Sequence, residues 1–465
     1  MHAKIITGGY SQNVFIGSKL ISMYSDLGQF HMKDARKVFD NMSQRDLFIW
    51  NMMVQAYANA GLGNEALGMF KEMCREGLGV DKFTFTFVLK ACGVGSENVM
   101  MGRAVHGRVV KCGFCFHVFV GNALVAFYGK CRLVGDCRRV FDEICDKDVV
   151  SWNTVISGCV NNGCVIEAIE LFHGLLRDEC FSTPDHATLV SILPACAQAA
   201  EIRLGFWIHC YIIKKGLEDD AMLGSGLIAM YGNCGHLEYS RQIFDQISER
   251  NIMVWTTMMR GYGMHGKPQE ALDLFSCFLK NGLHPDGIVF LCLLSTCSHA
   301  GLVTKGREIF KQMEDYGVEK SHEHYACMVD LYGRAGLLTE AVEFIESMPI
   351  LPTKDVYGAL LGACRLHNNV ELAETVAQKL FVLDPDSGGR YVTMAKIYGD
   401  GGRLKDAAAV RKVMVKKNIK KLFGYSSIKV DSVFHTFGVE DDTNSRTVEI
   451  FDTLAGLDKV MMEKV

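Results

Sequence analysis

His236-Leu237-Glu238 has the spacing of half a zinc-deaminase site, in which the histidine holds the metal and the glutamate moves the proton. That chemistry also needs a downstream Pro-Cys-x-x-Cys, and none follows. Cys112-Gly113-Phe114-Cys115 lies upstream, at the end of a helical pattern, and a zinc ion would need two further ligands at suitable spacing. His322 and His324 read as structural too. With no phosphate loop and no nucleophile constellation, the expectation is a chain that is not an enzyme and needs no cofactor or metal.

A basic run offers other chemistry: Arg403, Lys405, Arg411, Lys412, Lys416, Lys417, Lys420 and Lys421. It reads either as a solvated helix face whose C-terminus favours cations, or as a phosphate or partner contact centred on Arg411, Lys412, Lys416 and Lys417. The formal charge of the 465-residue chain is −4, so bulk electrostatics do not argue for nucleic acid. Any such claim must come from placed residues. The 18 cysteines do not form a framework: Cys92, Cys196 and Cys364 follow an alanine and Cys297 a threonine, as small apolar residues would where helices approach closely. A reducing compartment follows. No apolar run reaches the roughly 18 residues of a membrane span, so no membrane partner is expected.

The elements that would position such residues repeat. Trp50 recurs as Trp152 and again, 103 residues on, as Trp255. Phe141-Asp142 returns as Phe244-Asp245, Gly163 as Gly266, Leu171-Phe172 as Leu274-Phe275 and His106 as His209. A fixed long period marks stacked supersecondary units. Each period divides into three unlike units of roughly 31 to 37 residues, enough for a helix pair apiece. Val254 to Met264 reads as a first helix stopped by Gly266. Pro268 and Glu270 open a second, Ala271, Leu272, Leu274, Phe275, Phe278 and Leu279 give it one apolar face, and Gly282 ends it. Neither helix can bury its apolar face alone, so neighbouring units must stack.

These motifs resemble those of the pentatricopeptide repeat family, in the plant subfamily with alternating long, short and standard repeats. Val118-Phe119-Val120-Gly121-Asn122-Ala123-Leu124-Val125 with Phe141-Asp142-Glu143 matches the short type, and Val149-Val150-Ser151-Trp152-Asn153 the standard type. His322 to Leu331 with Gly333-Arg334-Ala335-Gly336 matches the last short repeat. Gly358 to Arg365 opens what resembles the family's extension motifs. The resemblance implies an all-α, right-handed α-solenoid of helix-turn-helix repeats. It divides the chain into a partial long repeat at 1–13, a repeat tract at 14–353, extension motifs at 354–422 and an extended C-terminal segment at 423–465. Within that segment Ser427 to Val430 and Val433 to Phe437 read as two short strands about Asp431-Ser432, a β-hairpin. Phe423-Gly424-Tyr425-Ser426-Ser427 stands where the family has a Pro-Gly-Cys-Ser-Trp-like box, and Thr443-Asn444-Ser445 where it has Ser-His-Pro. Met1 to Ile6 matches the second half of a unit, so the chain is expected to be truncated, and no Arg-rich presequence opens it.

The family reads about one base per repeat, through the fifth residue of a repeat and its last. On this sequence those are Ser18 with Asp46, Asn51 with Asp81, Asn122 with Asp148, Asn153 with Asp185, Ser225 with Asn251 and Thr256 with Asp286. An Asn amide offers donor and acceptor to a pyrimidine edge, while a compact hydroxyl leaves room for a purine. Helix capping is the competing explanation for each Asn or Asp. Long repeats carry Thr86, Val190 and Leu291 at the fifth position, which suits weak readout. The resemblance thus implies a single-stranded organellar RNA partner with a site like G-U-N-U-U-N-A-G. It also implies cytidine-to-uridine editing in a mitochondrion or chloroplast, with a DYW-type deaminase and multiple organellar RNA editing factors acting in trans; the alternatives are an organellar RNA splicing or stability factor and a protein-binding helical-repeat scaffold.

Overall fold

The computed structural model describes residues 13–95, 98–178, 183–419, 425–430, 433–438, 449–450, 452–454 and 456. These fall into two compact units, 1–248 and 249–465. Seven helix pairs build the first unit, opening with Val14–Asp26 and Met32–Asp40 and closing with Ala221–Asn233 and Leu237–Gln246. Five pairs build the second, from Ile252–Met264 and Pro268–Lys280 to Gly388–Asp400 and Leu404–Lys416. Within each unit the first helix of a pair packs on the first helix of the next pair as well as on its own partner. The core therefore runs as a strip through the stack, as an α-solenoid requires.

The local chemistry follows the sequence pattern. Trp50 is almost wholly buried and meets Phe39 edge to face, with ring centres 4.7 Å apart. Trp152 meets Phe141 in the same way at 4.9 Å. His106 shares a hydrogen bond of 2.8 Å with Tyr128, and His209 one of 2.9 Å with Tyr231. Burial holds both imidazoles below their ordinary pKa. Pro268 begins its helix, and Gly266 before it takes the left-handed backbone at φ +67 that L side chains adopt only at a cost. Gly205 has a different reason: a Cβ there would lie 2.4 Å from the sulfur of Met230, so any larger residue would make that side chain shift.

Cys92, Cys196, Cys297 and Cys364 are in no disulfide and are fully buried. Burial pushes the Cys92 thiol up to about 12 and those of Cys297 and Cys364 up to about 11. They pack as small apolar residues. The hairpin is present: strand Tyr425–Val430 pairs antiparallel with Val433–Gly438, joining Val430 to Val433 and Tyr425 to Gly438. It begins two residues before the strand pattern, at Tyr425. Met1 to Ile6, Phe423-Gly424, Asp431-Ser432 and Thr443-Asn444-Ser445 lie outside the described residues, as do Lys420 and Lys421. No described helix is long and apolar enough to cross a membrane.

Candidate nucleic-acid interface

Helix N-termini place the last residue of each repeat. Asp81, Asp148 and Asp185 each cap a first helix through a box: the carboxylate accepts from the backbone amide of Thr84, Ser151 or Thr188 at 2.7–2.8 Å, and that residue's hydroxyl accepts from the amide of the acid. Asp46, Asn251 and Asp286 cap too, accepting from Ile49, Val254 and Val289 at 2.9–3.0 Å. Capping is therefore real for each of these six residues. It does not account for the fifth residues, which lie inside the first helices rather than at their ends.

Three of the expected pairs meet directly. The Asn51 amide donates to Asp81 Oδ1, the Asn122 amide to Asp148 Oδ1 and the Asn153 amide to Asp185 Oδ1, each at 3.1 Å. One carboxylate oxygen thus anchors the next helix and orients the amide beside it. Burial works to raise these carboxyls, but the hydrogen bonds from Thr84 and Asn51, from Ser151 and Asn122, and from Thr188 and Asn153 outweigh it, so all three stay below the ordinary range. Each remains ionised at neutral pH, an acceptor that fixes which hydrogen of the amide points away.

The hydroxyl pairs are built differently. Ser18 Oγ donates to the Phe15 carbonyl, and Thr256 Oγ1 to the Ile252 carbonyl, both at 2.7 Å. A hydroxyl has one proton, and here it is turned back onto its own helix. The structure therefore does not join Ser18 to Asp46 or Thr256 to Asp286 by a shared hydrogen. Ser225 lies buried in the first unit while Asn251 caps the first helix of the second.

One feature of the edge is absent from the sequence reading. Three residues before the fifth residue, one helical turn away on the same face, stands an exposed large apolar side chain in eight of the nine repeats named, Val190 with Ala187 being the exception. These are Phe15, Phe48, Phe83, Phe119, Val150, Met222, Met253 and Ile288, between 43% and 69% exposed. They form ledges beside the hydrogen-bonding residues, of the kind on which nucleobases stack. Between the Val118–Lys130 and Val149–Asn161 helices opens a cleft of about 370 Å³, lined by Lys130, Arg132, Asn153, Thr154, Ser157 and Asn161 among others. It brings two cations to the side of the Asn153 amide.

The candidates for catalysis lie at helix ends and within the helix stack. His236 is the residue before helix Leu237–Gln246, with Glu238 in its first turn, and Cys112 follows the last turn of Val99–Lys111. His324 is buried, with Nδ1 facing the Ser321 amide at 3.0 Å and Nε2 the Gly287 carbonyl at 2.8 Å. Among the described residues no three His, Cys, Asp or Glu side chains gather as a metal site. In the basic run, Arg403 is held by Asp406 and Glu374, and Lys417 donates to the Tyr391 hydroxyl at 3.1 Å. Arg411, Lys412 and Lys416 are exposed on the Leu404–Lys416 helix, with no ion pair recorded among the described residues.

Within each unit, helix pairs whose first helices pack on one another, most of them carrying an exposed apolar residue at the second position, define a helical-repeat solenoid. Models of the PPR repeat match residues 150–180, 253–283, 288–318 and 323–350, a PPR repeat family model matches 45–93, and an E motif model matches 367–429. The chain is 38% identical to the chloroplastic pentatricopeptide repeat-containing protein CRR2 of Arabidopsis thaliana, covering 100% of this chain and 71% of that one. A mitochondrial relative from the same plant is 37% identical over 99% of this chain and 71% of its own. This chain belongs to the pentatricopeptide repeat family. Its fold is also that of crystalline maize PPR10, with a TM-score of 0.55, 19% identity, and coverage of 90% of this chain and 66% of that one. The form of PPR10 crystallised with an 18-nucleotide RNA element gives 0.59, at 19% identity and 90% and 61% coverage.

Proposed function

We propose that this protein binds one single-stranded RNA site in a plant organelle and marks it for cytidine-to-uridine editing, with the deaminase supplied in trans. One observation carries the binding reading: the fifth-residue side chains and the apolar ledges lie in register, a turn apart, along successive first helices. A base laid on a ledge has its edge beside the Asn, Ser or Thr of that repeat. Where an amide is held by its acid, the free N–H faces the edge of a uracil. Where a hydroxyl takes the place of the amide, the shorter side chain suits a purine.

Support for RNA as the ligand comes from the family and from PPR10, which was crystallised with RNA. The organelle is supported by relatives named chloroplastic and mitochondrial. The editing role draws on the E motif at 367–429, which in the subfamily this chain resembles accompanies editing. In this reading the chain supplies position and the trans-acting enzyme supplies zinc chemistry.

The test has two parts. Purified protein is titrated with single-stranded G-U-N-U-U-N-A-G RNA and with the same sequence in a duplex. The single strand is then offered, with a cytidine a few nucleotides downstream, to a DYW-type deaminase with and without this protein. The reading expects binding of the single strand only, and deamination only when both proteins are present. Tight binding without any gain in deamination would leave an RNA-binding factor of splicing or stability and remove the editing role.

A further inference from the structure

We infer that Arg132 is an anion seat: its guanidinium takes one phosphodiester of a bound RNA strand, at the step between the nucleotides read by Asn122 and Asn153. This rests on the RNA-binding reading above and gives a ligand to a side chain that base selection leaves unused.

The backbone is the first sign. Most first helices run into a turn whose second residue beyond the helix takes a left-handed conformation. Gly61, Gly163, Gly235, Gly266, Gly336 and Gly402 stand there in other helix pairs, and Asn368 in one more. Both residue types visit that region at little cost. Arg132 holds φ +60 with a Cβ that crowds the following carbonyl oxygen. Its amide makes the turn's usual bond, donating to the Gly129 carbonyl at 3.2 Å, as a glycine there could. Among the described residues its guanidinium makes no hydrogen bond, ion pair or ring contact. A helix C-terminus also attracts a cation, but Lys130 in the last turn of Val118–Lys130 already meets that need. A strained residue whose side chain touches nothing in the fold points to something outside it.

The surroundings say what that is. Arg132 lines the cleft between the Val118–Lys130 and Val149–Asn161 helices together with Lys130 and Asn153, and no acidic residue is among those that line it. The floor is firmly built. A Cβ on Gly129 would lie 3.2 Å from the Gly158 Cα, so the two backbones nearly touch. The Asn162 amide donates to the Gly129 and Gly158 carbonyls, both at 2.7 Å, and ties the helices there. A strand that presents successive bases to Asn122 and Asn153 passes one phosphate between them. A planar guanidinium fork is shaped for that group, and the phosphate supplies the counter-charge that Arg132 lacks.

Three variants separate strain from charge. Arg132→Gly relieves the backbone and removes the cation. Ala200→Gly relieves the corresponding turn, where Ala200 holds φ +51, with no charge lost. Arg132→Lys keeps both strain and charge. Each glycine variant should raise the melting midpoint by about 2–4 °C. Arg132→Gly alone should weaken RNA binding, lowering the slope of log affinity against log salt by about 0.7, one phosphate on a single strand. Base preference should stay unchanged at every position, and Arg132→Lys should keep the full slope. A neutral methylphosphonate linkage moved through G-U-N-U-U-N-A-G then locates the contact. It should cost about threefold to tenfold at the U-U step, and nothing there in Arg132→Gly. An unchanged salt slope or a lowered midpoint in Arg132→Gly, or a U-U penalty that survives in it, overturns the inference while RNA binding stands. Absence of RNA binding by the unaltered protein overturns the functional reading and this one together.

Discussion

Trp50 and Asn51 are neighbours on one helix and live in different worlds. Trp50 faces the seam between helices, where Phe39 closes on it, and the same arrangement returns at Trp152 with Phe141 and, against a different partner, at Trp255 with Phe278. Asn51 is buried as well, but its side chain meets the start of the next first helix through Asp81 and Thr84, and its counterparts in register are Ser18, Asn122, Asn153, Ser225 and Thr256. The seam repeats because every unit must solve one packing problem, and close packing admits few solutions. The edge varies because nothing in the fold demands one side chain there. Within a repeat protein, what stays the same from unit to unit holds the stack together, and what changes in register is free to carry information.

Breaking the seam should cost stability and spare specificity. Trp50→Ala removes a fully buried indole and should lower the unfolding free energy of its unit by about 3–5 kcal/mol. Chemical denaturation with near-ultraviolet detection would measure this, and any RNA retained at low temperature should show an unchanged base preference. The edge should respond the other way. Asn153→Ala loses one amide–carboxylate bond and should change stability by about 1 kcal/mol or less, yet abolish the choice of base at one nucleotide. Asp148→Ala falls between the two, because Asp148 both caps and orients. It should cost about 1 kcal/mol in stability and also blur the reading by Asn122.

The smallest effect is with pH. Asp81, Asp148 and Asp185 have carboxyls held below the ordinary range by their hydrogen bonds, against the opposing effect of burial. A depressed folded value means their contribution is complete above the ordinary carboxylate pKa near 4 and is lost as pH falls through the folded value. Thermal midpoints should therefore hold steady above about pH 5 and decline below about pH 4. Asp148→Asn should make that decline shallower.

The seam was legible in the sequence because a 103-residue period in Trp, Phe-Asp and Gly leaves few folds open. Turn chemistry was legible too: Gly266 and Pro268 stop and start helices where their backbone limits say they should. The edge was legible only in part. Its residues could be named through the family's register, but composition could not say that Asn51, Asn122 and Asn153 reach their acids while Ser18 and Thr256 turn away. That depends on side-chain length: an amide spans the gap to the next helix start, whereas a hydroxyl reaches only its own carbonyl. The apolar ledges were not legible at all. Val118–Lys130 is apolar on nearly every face, so Phe119 looks like another core residue until the packing shows it exposed.

The central claim is that the edge residues read bases, and selection from randomised single-stranded RNA tests it most directly. The unaltered protein should enrich a site resembling G-U-N-U-U-N-A-G, read in parallel with the chain. Thr256→Asn should move the final G towards U, because an amide long enough to reach Asp286 replaces a hydroxyl turned away from it. The preference should change by about 1 kcal/mol, the scale of one hydrogen-bonded contact. Enrichment of no motif, or a Thr256→Asn variant that weakens all sequences equally, would contradict it.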